Sequence, residues 1–119
     1  MKAQSELYAP QIIKAIREDL ILLAFKTREY EKLISAKAEA DRDYKIEVRK
    51  QILLAKSDGQ SITLIPKLVE GKTSVANLKF KADVADGVMK ACNESIKNLR
   101  ASVDAGRSIL SQKKEEMKG

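Results

Sequence analysis

Residues 73–110 read TSVANLKFKADVADGVMKACNESIKNLRASVDAGRSIL, and the fold turns on their spacing. With Val75 taken as position a of a heptad, the a row is Val75, Ala82, Met89, Ile96, Val103 and Leu110, all apolar. The d row is Leu78, Ala85, Cys92, Leu99, Gly106 and Lys113. Ten of these twelve seam positions are apolar, which predicts one long helix packed along a single stripe against another helix. The small side chains of Ala82, Ala85 and Cys92, with Gly106, call for a close approach by that partner.

Working outward, Thr73 or Ser74 offers an N-cap for this helix, because a hydroxyl there can take up a free backbone N–H. Upstream, Pro66 and Gly71 mark a short insert, and Ser57-Asp58-Gly59-Gln60-Ser61 is a helix-ending turn. From Gln11 to Lys56 there is neither Gly nor Pro. The chain therefore divides into helix one over about 10–56, a turn and short helix over 57–72, and helix two over about 73–116. Helix one repeats the period less cleanly. Its a row is Ile13, Leu20, Thr27, Ile34, Asp41, Val48 and Ala55; its d row is Ile16, Leu23, Tyr30, Lys37, Tyr44 and Gln51. The polar middle leaves its register open between Thr27 and Tyr44.

The expected fold is all-α: one domain over residues 1–119, with two long helices in an antiparallel coiled-coil hairpin and a short helical insert at the connection. Helices of this length reach ~65 Å at ~1.5 Å per residue. Two helices touching along one stripe bury little for their size. Leu20, Ile21, Leu22, Leu23 and Phe25 form a run that is apolar all round the helix, more than one seam uses. These residues are the candidate oligomer or partner interface, since a symmetric oligomer is the simplest cover. The other cover is a fold-back of the insert, or of the residues around Leu7 and Tyr8.

Composition excludes several chemistries. There is no His and a single Cys, Cys92, so a His-based triad, a Cys/His zinc site and an internal disulfide cannot be assembled within one chain. Gly71-Lys72-Thr73 resembles the tail of a phosphate-binding loop, but the motif needs a glycine where Pro66 stands. Asp41, Asp43 and Glu47 are interleaved with Lys45, Arg49 and Lys50, a mixture that predicts i,i+4 ion pairs on a solvated face. Cys92 reads as a packed thiol. No enzyme, cofactor or metal is expected. The longest aliphatic run, Leu20 to Phe25, is far short of the roughly 20 residues of a membrane span, and no secretory signal precedes it. The expected setting is the cytoplasm, without a membrane partner.

The net charge is +6, from 23 Lys and Arg against 17 Asp and Glu, and each half of the chain carries +3. Helix two aligns Lys90, Lys97, Arg100, Arg107 and Lys114 on neighbouring positions of one face. They are the candidate phosphate contacts for a nucleic-acid partner. Asp86 and Asp104 interrupt the face, and only 4% of residues are aromatic, which gives bases little to stack on.

The order of features from Ala38 to Met117 adds a resemblance. It runs through Ala38-Glu39-Ala40-Asp41-Arg42-Asp43-Tyr44, Asp58-Gly59-Gln60-Ser61-Ile62-Thr63-Leu64-Ile65, Val69-Glu70-Gly71 and Val75-Ala76-Asn77-Leu78-Lys79. Asp83-Val84-Ala85, Ile96-Lys97-Asn98-Leu99-Arg100 and Arg107-Ser108-Ile109-Leu110 complete it. This pattern is similar to a group of small helical-hairpin proteins encoded by phages and prophages of bacteria, over about two thirds of the chain. Asp58-Gly59 stands where that group tends to have Glu-Gly, and the apolar N-terminal part has no counterpart. The resemblance implies a phage or prophage origin, the host cytoplasm and a non-enzymatic role. That role is either binding and inhibiting a host complex or assisting phage DNA replication or recombination.

Overall fold

The computed structural model describes residues 2–118, with side chains described from residue 9 onward. Leu7 and Tyr8, the alternative cover for the first helix, lie outside the described side chains. Three helices follow one another, α1 (Lys2–Ser57), α2 (Ile65–Glu70) and α3 (Thr73–Lys118), and there is no strand among the described residues. The two long helices, α1 and α3, pack against each other. No described helix is long and apolar enough to cross a membrane.

The expected start of helix one near residue 10 is corrected: α1 continues back through Pro10 to Lys2. Its C-terminus ends as the turn residues require. Gly59 adopts φ +76°, the left-handed region open to glycine. The N–H of Gly59 then reaches the Lys56 carbonyl at 3.0 Å and that of Gln60 the Ala55 carbonyl at 3.1 Å, the paired bonds of a Schellman cap. Pro66 sits in the first turn of α2, where its missing N–H costs nothing. Thr73 is already helical and does not cap α3; the first bond of that helix runs from the Ala76 N–H to the Lys72 carbonyl at 2.9 Å.

The chain forms two compact units, one of Met1–Tyr30 with Ala91–Gly119 and the other of Glu31–Lys90. In the first, α1 and α3 run in opposite directions: Gly106 lies against Ile16 and Ile12, Ser102 meets Asp19, and Cys92 meets Lys26. The second unit holds the most enclosed core, in which buried Ala55, Ile65, Val69 and Val75 pack with Tyr44, Val48 and Ile52. Ile65 and Val69 are thus what attach the six-residue α2. Opposite chain direction holds here too, from Lys37 beside Asp86 to Tyr44 beneath Lys79.

All twelve seam positions expected for α3, from Val75 to Lys113, are buried or half-buried. In α1 the expected d row is turned inward, and so is the end of the a row at Asp41, Val48 and Ala55; toward the N-terminus its companions differ. Ile12, Asp19, Lys26, Leu33 and Ala40 share the inward stripe, while Ile13, Leu20, Thr27 and Ile34 are exposed. The inward stripe therefore lies one position before the expected a row from Ile12 to Ala40 and coincides with that row at Asp41, Val48 and Ala55. The polar members of this stripe bond at its edge. Ser102 Oγ lies 2.6 Å from Asp19 Oδ2, Lys26 Nζ is 3.6 Å from Glu29, and Lys37 Nζ is 2.9 Å from Asp41 and 4.0 Å from Asp86.

Candidate functional site

The first unit displays the apolar run predicted to be an interface. Leu20, Ile21, Leu22 and Phe25 are all exposed, Ile21 at 71% and Phe25 at 62%. Leu23 departs from this set, since it is half-buried on the inward stripe. Positions 20, 21, 22 and 25 point in successive directions round a helix of 3.6 residues per turn. Together they make almost the whole outer surface of this segment hydrocarbon, and Ile13 extends it by two turns.

The cation row of α3 divides between the units. Lys90 belongs to the second, where its Nζ is held 2.8 Å from Asp86. In the first unit Lys97 pairs with Glu94 at 3.4 Å. Arg100, Arg107 and Lys114 are exposed and make no ion pair among the described residues. They recur every heptad, about 10 Å apart along the helix at ~1.5 Å per residue. Because position e of α3 flanks the seam on the side where α1 carries Ile13 and Leu20, the three cations and these two aliphatic side chains border the same edge of the first unit.

The other features that suggested chemistry have structural roles. Cys92 is buried, with Sγ 3.5 Å from the Lys26 carbonyl. The Gly71 and Lys72 amides donate to the Lys67 and Val69 carbonyls, each at 3.1 Å, so they are not turned toward a phosphate. Asp41 takes the Lys37 ammonium, Asp43 takes two guanidinium N–H groups of Arg42 at 3.0 and 3.2 Å, and Glu47 accepts from Gln51 at 2.9 Å. The hydrogen bonds from Gln51 and Ser74 hold the Glu47 carboxyl below its ordinary pKa. Of the expected i,i+4 pairs, Asp41 forms one with Lys37; among the described residues Lys45, Arg49 and Lys50 make no ion pair, and Glu47 accepts from Gln51 and Ser74 with the Lys50 charge also acting on it. Among the described residues no group of three Cys, Asp or Glu side chains could hold a metal ion.

Sequence reasoning did not single out an open groove of about 600 Å³ in the second unit. Tyr44, Val48 and Ile52 form one wall and Pro66 and Val69 another, with Phe80 at the edge. Lys79 Nζ lies 5.6 Å from the centre of the Tyr44 ring, within cation–π range. The exposed Phe80 at position f of helix two was the signal available in the sequence. No family model matches the chain, and neither does any curated protein or solved structure.

Proposed function

We propose that this is a non-enzymatic helical-hairpin protein, an antiparallel coiled coil of phage type, that self-associates and acts by binding another protein in the host cytoplasm as an inhibitor or adaptor. The observation that carries the reading is the outward placement of Leu20, Ile21, Leu22 and Phe25 on one helix segment. At roughly 1.5–3 kcal/mol for each large apolar side chain removed from water, covering these four is a substantial drive to associate. The resemblance to phage and prophage hairpin proteins supports the setting. Missing His and a buried lone Cys remove the common nucleophile–base pairs, in line with a binding role.

The chain has no Trp, so a Phe25→Trp variant carries a single reporter on the proposed interface. Its emission should shift to the blue as concentration rises, and return to that of solvated indole on dilution. Emission of solvated indole at every concentration would contradict the proposal.

A second reading is favoured by one specific observation, that Arg100, Arg107 and Lys114 make no ion pair among the described residues. It makes the chain an accessory of phage DNA replication or recombination that tracks phosphates. Affinity for a DNA duplex would then fall steeply with salt, and Arg100→Glu with Arg107→Glu would abolish it. An unchanged affinity in that variant would eliminate this reading.

A further inference from the structure

The outer face of α1 in the second unit carries a different surface. Ile46, Leu53 and Leu54 are exposed there, Ile46 at 61% and Leu53 at 55%, and with Arg49 and Lys50 they line one shallow, almost wholly apolar concavity. Their spacing, i, i+7 and i+8, is that of a helix face prepared for a second helix. Lys45 and Lys56 continue the positive charge along it; of the acidic neighbours, Asp43 is bonded to Arg42 and Glu47 to Gln51, with the Lys50 charge also acting on Glu47. Among the described residues, the ion pairs of Lys14, Lys26, Lys37, Arg42, Lys79, Lys90 and Lys97 all lie outside residues 44–78.

We infer that this face is a docking site for an acidic amphipathic helix of a partner protein. The aliphatic side chains would receive the partner's apolar stripe while Arg49 and Lys50 meet its flanking carboxylates. Charge selects the occupant. A second copy laid on the same face by two-fold symmetry would bring its own cations against these, which disfavours self-association here. A nucleic acid would leave Ile46, Leu53 and Leu54 facing phosphates. An acidic helix satisfies both the apolar and the cationic parts, in the helix-in-groove manner. The inference rests on residues of the second unit and stands without the interface proposed for Leu20–Phe25.

The test is fluorescence anisotropy with a labelled synthetic helix carrying leucines at i, i+3, i+4 and i+7 flanked by glutamates. Controls are the same leucines flanked by lysines, the glutamate helix with alanines for leucines, phosphatidylglycerol vesicles and a DNA duplex. The acidic leucine helix should bind tightest. Its affinity should fall roughly tenfold in Arg49→Glu/Lys50→Glu and again in Leu53→Ser, while the charge reversal Lys81→Glu on α3 leaves it unchanged. All these positions are exposed, and circular dichroism should report an unaltered helix content. Tighter binding to vesicles or duplex, or peptide affinity indifferent to both the charge-reversal and Leu53→Ser variants, would overturn the inference.

Discussion

Gly106 of α3 faces Ile16 of α1 so closely that a methyl group on its Cα would stand 2.8 Å from Ile16 Cγ1 and 3.0 Å from Cδ1. Gly87, on the same helix, has nothing within 4 Å of the corresponding position. Glycine within a helix costs roughly 0.5–1 kcal/mol relative to alanine. Gly87→Ala should therefore raise stability by about that amount. Gly106→Ala meets β-branched Ile16, whose displacement costs about 1–3 kcal/mol, and should leave the protein about 1 kcal/mol less stable. Urea denaturation of the two variants checks the contrast; equal stabilisation by both would refute the close approach.

The attachment of α2 depends on Ile65 and Val69 in the core of the second unit. Ile65→Ala should cost about 2–3 kcal/mol, the lower part of the range for such truncations, because the neighbouring groove leaves room for collapse. Leu64→Ala, which removes an exposed side chain, should cost about 0.5 kcal/mol or less. Thermal melts of both variants would separate buried from exposed positions of this segment.

Stability should be level between about pH 5 and 8, since the chain has no His to titrate there. The hydrogen bond and charge of Lys90, with the charge of Lys37, hold the Asp86 carboxyl below its ordinary pKa of 3.8. Its contribution is thus present above that value and lost as pH falls through the lowered one. On the alkaline side, the hydrogen bond and charge of Asp41 raise the Lys37 ammonium above 10.5. That contribution is full below 10.5 and lost as pH rises through the raised value. Asp86→Asn should lower the urea midpoint at pH 7, and its difference from the unmodified chain should shrink as pH falls below 3.8. A midpoint that moves between pH 5 and 8 would contradict this account.

Cys92 is buried at the seam with its thiol against the Lys26 carbonyl. Alkylation by iodoacetamide should be slow in the native protein and rapid in denaturant, because reaction waits on opening of the helix pair. Mass spectrometry of timed samples measures both rates, and comparable rates would place the thiol at the surface.

The sequence made α3 legible almost residue by residue, because its apolar row and its packed row are the same row. Val75, Ala82, Cys92, Ile96 and Val103 all lie buried where the heptads put them. In α1 the two rows part. Ile13, Leu20 and Ile34 form the more apolar row and face outward, while Asp19, Lys26 and Lys37 sit on the packed stripe. Hydrophobicity alone selects the wrong row there, since the polar ends of those three side chains bond at the seam edge. The offset also has a functional sense. Apolar side chains beyond what the seam consumes are what α1 presents outward, and Leu23 alone of the predicted patch is consumed. The face at Ile46, Leu53 and Leu54 was harder to see, because it depends on Glu47 turning inward, which spacing does not determine.

Self-association through α1, as proposed, is read out by sedimentation equilibrium over a wide concentration range. The unmodified chain should sediment as a multiple of 13.3 kDa, and Ile21→Glu/Phe25→Glu should sediment as a single chain with its helix content intact. A mass of 13.3 kDa for the unmodified chain at every concentration, or an oligomer that survives both substitutions, would contradict it.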